Sequence, residues 1–306
     1  MSPLALALVL AAALCHASWN LIAKRGGGSG NEFVLLSSLL VGVVWGPMAL
    51  WAGVQVMADW GALEWGVLAV SAVIHVLYFR CLLHGYAVAD LSVVYPLARG
   101  SGPLLSSLGA VFLLGETLSW LGAAGALAVV AGVFLIAGGP GLLRQLLGRG
   151  ADAGLLSESG VFARQRQQRG LFWGALTGVF IASYTVIDGY AVKVLLISPI
   201  LVDYVGNVLR IPVMAPFALR DPAGFKRVCL AQWKTALAIA VLGPASYIMV
   251  LYAMQLAPLS HVAPAREVSM LFAALAGGSL LGEGDRWLRL LGAAAIALGV
   301  AGLALG

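Results

Sequence analysis

The segment 98–139 recurs without a gap 167 residues later, as the segment 265–306. Matched positions include Arg99 with Arg266, Gly115-Glu116 with Gly282-Glu283, Trp120 with Trp287, Gly125 with Gly292, and Gly132-Val133 with Gly299-Val300. Alanine and leucine matches come easily in an apolar chain, but arginine, glutamate and tryptophan falling in one register do not. A long internal repeat constrains the fold more than any local signal, because the chain must build one structural unit twice. Both copies are apolar throughout, so the unit has to be stable in lipid, and duplicated hydrophobic halves mark many secondary-transporter folds.

Composition agrees with that constraint. Of the 306 residues 61% are hydrophobic and 10% charged, and mean hydropathy is +0.97; a soluble domain carries about 25% charged residues. An integral membrane protein is expected. The net charge of +5 lies in short segments between apolar stretches, where it orients a chain in the bilayer, and no nucleic-acid partner is expected. Cys15, Cys81 and Cys229 form no close pair, which argues against a disulfide framework or a zinc site. The first residues imitate a signal peptide but lack its basic start, with Lys24-Arg25 following the apolar run instead. They read as a retained first span, and Leu14 before Cys15 speaks against lipid anchoring.

Spanning helices need about 20 predominantly apolar residues, since hydrocarbon offers backbone groups no partners. Ten stretches qualify: 3–23, 32–54, 63–83, 91–114 and 118–137, then 171–190, 198–219, 235–256, 261–281 and 287–305. Three regions follow: a five-helix repeat over 1–138, a polar, Arg-rich linker over 139–169, and a second five-helix repeat over 170–306. Five spans is an odd number, so the copies enter the membrane from opposite sides. The expected fold class is therefore all-α integral membrane, with ten transmembrane helices as two inverted five-helix repeats. Arg144, Arg149, Arg164, Arg166 and Arg169 of the linker share a side with Lys24, Arg25, Lys226, Arg227, Arg286 and Arg289, which the positive-inside rule makes cytoplasmic. Both termini then face outward, and a bacterial inner membrane is the expected location. Gly42 with Gly46, and Gly174 with Gly178, have the small-xxx-small spacing of close helix packing. Trp45, Trp51, Trp60 and Trp65 read as interfacial anchors.

A charge at the bilayer centre costs about 2.5–3.5 kcal/mol on insertion scales, so each intramembrane polar residue needs a partner or a wet cavity. His16, Asn20 and Lys24 stack on one face of the first span beside Trp19. His16 either bonds within the bundle as a neutral imidazole or lines a cavity, while Lys24 snorkels. Ser71, His75 and Tyr78 share a face of the third span, and Ser92, Tyr95 and Arg99 one of the fourth. Pro96 and Pro103 are expected to loosen the helix around Arg99, which lines a site or reaches the interface. Asp203, Asn207 and Arg210 share a face of the seventh span beside Tyr204 and form the clearest site constellation, with a structural ion network involving Asp188 or Glu267 as the alternative. Asp188 lies near a helix end. Arg266 and Glu267 are adjacent and point about 100° apart on an ideal helix, so each is expected to serve a different partner. Glu116 and Glu283 fall in short Gly-Glu turns, where a carboxylate favours capping the following helix. No HExxH, GxSxG or GxxxxGK[ST] motif occurs, so no catalytic residue, metal or cofactor is expected.

The motifs His16-Ala17-Ser18-Trp19-Asn20-Leu21-Ile22-Ala23-Lys24, Tyr95-Pro96-Leu97-Ala98-Arg99, Pro103 and Leu113-Leu114-Gly115-Glu116 resemble the EamA-like family of the drug/metabolite transporter superfamily. Ala182-Ser183-Tyr184-Thr185-Val186-Ile187-Asp188, Ala263-Pro264-Ala265-Arg266-Glu267 and Leu281-Gly282-Glu283 supply the second half. The resemblance implies a central cavity formed by the first, third and fourth helices of each half. Onto those helices fall His16, Trp19, Asn20, His75, Tyr78, Tyr95 and Arg99, then Tyr184, Asp188, Tyr247, Arg266 and Glu267. Taken with the residue reading, the expected binding set is His16, Trp19, Asn20, His75, Tyr78, Tyr95, Arg99, Tyr184, Asn207, Arg210, Tyr247 and Arg266. The proton-coupling candidates are His16, Asp188, Asp203 and Glu267. Arg99 and Arg266 would pair with an anionic group of the substrate, or with Glu267 and Asp203 in its absence. The leading expectation is alternating-access export or exchange of a small polar or amphipathic metabolite. Its rivals are a membrane-embedded enzyme acting on a lipid-linked substrate and a non-transporting receptor or assembly protein. Expected partners are the lipid bilayer and that metabolite, with a homodimer as a candidate assembly.

Overall fold

The computed structural model describes residues 1–26, 30–137, 158–276 and 286–306, with a few side chains inside these ranges also set aside. Expectations that fall on Lys24, Arg25, Ser92, Arg144, Arg149, Arg164, Gly282-Glu283, Arg286 and Arg289 lie outside the described residues. Among the described residues every regular element is helical: α1 (Pro3–Gly26), α2 (Asn31–Trp51), a 3-10 segment (Val54–Asp59), α3 (Ala62–Val88), α4 (Leu91–Leu114), α5 (Trp120–Ile136), α6 (Glu158–Lys193), α7 (Pro199–Ala218), α8 (Pro222–Leu256), α9 (Leu259–Ala265), α10 (Val268–Ala276) and α11 (Arg286–Leu305). Seven helices are long and apolar enough to cross a membrane, namely α1 to α4 and α6 to α8, and α5 and α11 supply shorter apolar runs.

Local chemistry sets the helix ends. Ser119 accepts from the Gly122 amide at 2.9 Å to start α5, and Asp221 accepts from the Gly224 amide at 2.8 Å to start α8. Proline opens α7 and α8, where its missing N–H costs nothing. α4 ends at Gly115, whose φ of 67° lies in the left-handed region that glycine enters without a Cβ clash.

Three elements depart from the sequence reading. α6 begins at Glu158 and α8 at Pro222, about three turns before their apolar runs, so polar residues expected in loops extend the helices instead. α4 runs as one helix through Pro96 and Pro103, the stretch expected to loosen. Its counterpart in the second half is the interrupted one: α9 stops at Ala265 and α10 starts at Val268, with Arg266-Glu267 between them.

The chain divides into two compact units that do not follow the two sequence halves. The first holds residues 74–186 and 258–306, with Met1; the second holds 2–73 and 187–257. Within the first, α5 and α11 lie antiparallel at backbone contact. A Cβ on Gly125 would sit 2.6 Å from the Gly299 carbonyl oxygen, and one on Gly132 would sit 2.5 Å from that of Gly292. Gly125 and Gly292 are matched repeat positions, as are Gly132 and Gly299, so the contact is reciprocal: each copy offers its partner the same pair of glycines. Gly174 and Gly178 of α6 pack likewise on Val94, Leu97 and Ser101 of α4. Trp120 and Trp287 open α5 and α11, 81% and 73% exposed. Because the helices run oppositely, the two rings mark opposite ends of the pair, about 25 Å apart at 1.5 Å per residue.

In the second unit α8 packs on α1 and α2. Ser246 donates to the Ala12 carbonyl at 2.9 Å, and Phe33, Leu36 and Ala236 form a buried cluster lined by Leu40, Phe225, Val228, Cys229 and Ile239. Two expectations fail here. Gly42 has nothing within 4 Å of an added Cβ and Gly46 only the Tyr204 hydroxyl at 3.7 Å, so this pair makes no close helix contact. Trp45 is no interfacial anchor: its indole N–H donates to the Ala240 carbonyl at 2.9 Å, tying α2 to α8.

Candidate functional site

The first unit gathers its interior charge at the α9–α10 break. Arg99 points from the middle of α4 to Glu267, Nη2 to Oε2 at 3.0 Å. Arg266 Nε lies 3.6 Å from the other carboxylate oxygen. Glu267 is 2% exposed, Arg99 18% and Arg266 13%, so three charges share one largely dry place. The expectation that Arg266 and Glu267 serve different partners is overturned. Both side chains are long enough to meet across the turn between α9 and α10, where the Glu267 amide donates to the Pro264 carbonyl at 3.0 Å. Proline helps explain the break: Pro264 has no N–H for the helical ladder and crowds the preceding turn.

Aromatic residues surround this cluster. His75 of α3 stacks on Tyr184 of α6 with ring centroids 4.0 Å apart, and Tyr78 meets Tyr184 edge-on at 5.7 Å. Tyr78, Tyr95 and Tyr184 all lie within electrostatic range of the Arg99 guanidinium. The Tyr95 hydroxyl donates to the Met270 sulfur at 3.0 Å. Seven expected residues thus come together here: His75, Tyr78, Tyr95, Arg99, Tyr184, Arg266 and Glu267.

α9 is held at both ends by α4 and the turn that follows it. The Glu116 carboxylate accepts from the Leu259 and Ser260 amides at 2.8 and 2.9 Å, and Ser107 donates to the Ser260 carbonyl at 2.9 Å. Arg99 grips the far end through Glu267. Glu116 therefore does cap a helix, but not the following one, whose first turn belongs to Ser119. It caps a segment more than 140 residues away, because the left-handed Gly115 turns the carboxylate back toward the start of α9. No local pattern points to that partner; the only sequence signal is that the Gly-Glu turn occurs in both repeats.

The second unit holds its own buried carboxylates. Asp188, 1% exposed, accepts hydrogen bonds from the Ser71 and Tyr247 hydroxyls, each 2.5 Å long. Its nearness to the end of α6 left exposure open; the structure buries it. Asp203 of α7 accepts from the Asn207 side chain at 3.0 Å, and Arg210 donates to the Asn207 oxygen at 3.3 Å. These three keep the order their helical spacing predicts, and Asp188 lies within electrostatic range of Asp203. His16 and Trp19 of α1 meet edge to face at 5.0 Å. Asn20 is exposed and returns its amide to the His16 carbonyl at 2.7 Å, a bond within its own helix. Ser71 was seen only as a face-mate of His75, yet it supplies one of the two hydroxyls that solvate Asp188. Among the described residues no group of three His, Cys, Asp or Glu side chains could hold a metal ion.

Apolar helices of spanning length and buried charge held inside them define a multi-pass integral membrane protein of the drug/metabolite transporter type. The chain belongs to the EamA-like transporter family, whose profile matches residues 3–138 and 168–305. A solved crystal structure, described only as that of a protein, is similar over 98% of this chain and 96% of that chain, with a TM-score of 0.73 at 18% identity; this likeness concerns the fold alone. No significant relative is found among curated proteins.

Proposed function

We propose that this protein is a secondary active transporter of a small polar or amphipathic metabolite, working by alternating access and doing no chemistry on its cargo. The observation that carries this reading is the Arg99–Glu267–Arg266 cluster, three charged side chains in the apolar interior of the first unit at an interrupted helix. Charges are costly in lipid and are kept there where they meet a cargo or a coupling ion. A broken helix is tolerated where it is buried in protein or lines a path for solute.

The architecture we propose is ten spans in two inverted five-helix repeats. Its support is the reciprocal contact of Gly125 and Gly132 with Gly299 and Gly292. Self-complementary pairing of equivalent residues is what a two-fold relation produces, and antiparallel partners place that axis in the membrane plane. Asp188 of the second unit is the proposed proton carrier. What supports this is its burial and the Ser71 and Tyr247 hydroxyls, which reach its two oxygens in place of water. The linker side is assigned to the cytoplasm of a bacterial inner membrane with both termini outward, and a reporter at Gly306 that behaves as cytoplasmic would reverse that assignment.

Counterflow in proteoliposomes across a metabolite panel tests the main proposal. Exchange should appear for at least one solute and be lost in the Arg99→Ala, Arg266→Ala double variant. Full exchange by the folded double variant would remove the arginines from the transport path.

A further inference from the structure

Arg99 meets Glu267 at one tip of a two-toothed fork. Nε and Nη2 lie along the same edge of a guanidinium and together match the two oxygens of a carboxylate. Here Nη2 lies 3.0 Å from Glu267 Oε2 as a charge contact, while that oxygen and Arg99 Nε are both buried without a hydrogen-bond partner among the described residues. The paired hydrogen-bond geometry this arginine can offer is therefore unused.

The second feature is the position of Arg266. Removing one member of a buried ion pair strands the other, which makes such pairs hard to open. Glu267 has a second cation on its other oxygen, Arg266 Nε at 3.6 Å, so it stays compensated when Arg99 leaves. Arg99 gains nothing from that arrangement. It can leave Glu267 only for another anion. A cationic or neutral solute would strand the guanidinium, whereas a carboxylate replaces Glu267 like for like and takes Nε as well. A phosphate monoester would bring further negative charge that one guanidinium cannot match.

We infer that the cargo of this site carries a single carboxylate, taken by the Nε/Nη2 fork of Arg99 while Glu267 is handed to Arg266. The inference rests on the transport reading for its biological sense but is tested by binding alone. Tyr78 and Tyr184 lie within reach of the same guanidinium and His75 stacks on Tyr184, so the body attached to the carboxylate is planar or apolar. Stacking and edge contacts with such rings favour a flat partner.

Three probes that share a ring and a short chain but differ in head-group charge separate the outcomes: phenylacetate, phenethylamine and 2-phenylethanol. With the full-length protein in detergent at neutral pH, phenylacetate should raise the thermal unfolding midpoint in a saturable way and the other two should not. Stabilisation by phenethylamine or phenylethanol, or by none of the three, overturns the assignment without any variant being made. In folded Arg99→Lys, which keeps the charge but not the fork, phenylacetate binding should weaken about ten-fold or more. Arg266→Gln should weaken it as well, although Arg266 does not touch the ligand; unchanged binding there refutes the hand-over. Counterflow with the same probes keeps the two readings apart. Phenylacetate that binds while neither it nor any solute of the metabolite panel exchanges leaves this site standing and removes transport, whereas exchange of phenethylamine alone leaves transport standing and removes the carboxylate.

Discussion

Neutralising Glu267 should cost more stability than neutralising Arg99, although the two form one ion pair. Glu267 faces Arg99 at 3.0 Å and Arg266 at 3.6 Å. At an effective dielectric constant of about 20, each contact is worth about 5 kcal/mol of gross attraction, most of it offset by desolvation. Glu267→Gln leaves the largely buried Arg99 guanidinium without its carboxylate, and stranding a buried charge costs about 3–5 kcal/mol. Arg99→Gln leaves Glu267 with Arg266, so the loss is nearer that of one charged hydrogen bond, about 1.5–3 kcal/mol. The Glu267 variant should therefore be the less stable by about 2 kcal/mol. Adding Arg99→Gln to it should recover part of the loss, because the stranded guanidinium is then gone. Thermal unfolding of the three variants in detergent, without ligand, gives the ranking. If Arg99→Gln proves equally or more damaging than Glu267→Gln, Arg266 does not share the carboxylate and the hand-over has no physical basis.

Other expectations follow from the same contacts. Gly125→Val and Gly299→Val would drive side-chain atoms into the facing backbone of α5 and α11 and should cost about 1–3 kcal/mol or prevent folding. Gly42→Ala, with open space around it, should be neutral or stabilising by up to about 1 kcal/mol; a comparable loss at Gly42 in size-exclusion and melting profiles would refute the distinction. Glu116→Ala removes two charge-assisted bonds to the start of α9 and should lower stability by about 2 kcal/mol, against about 1 kcal/mol for Ser119→Ala, which frees one amide of α5; equal losses in the same melting assay would argue against the long-range cap. Asp188→Asn should abolish proton-gradient-driven accumulation while leaving counterflow measurable, and gradient-driven uptake at the normal rate in that variant would exclude Asp188 as the proton carrier.

The sequence by itself determined that this chain is an all-helical, duplicated membrane protein, and it put nearly every interior charge on record. It could do so because lipid makes the relevant property local: each spanning segment must satisfy its own backbone and be apolar over its own length. Helical spacing was equally sufficient for Asp203, Asn207 and Arg210, whose contacts run along one helix face. Whatever depended on a second helix was decided by the tertiary structure. Gly42-Gly46 and Gly174-Gly178 share one spacing, yet only the second pair has a helix at close packing distance. Pro96, Pro103 and Pro264 all predict a weak point, and the break falls at Pro264, in the segment Glu116 and Arg99 hold at either end. Asp188 could have faced solvent until Ser71 and Tyr247, far away in sequence, were brought to it. A side chain's cost in the membrane is fixed by its own chemistry, but its partner is fixed by which helices come to lie beside it.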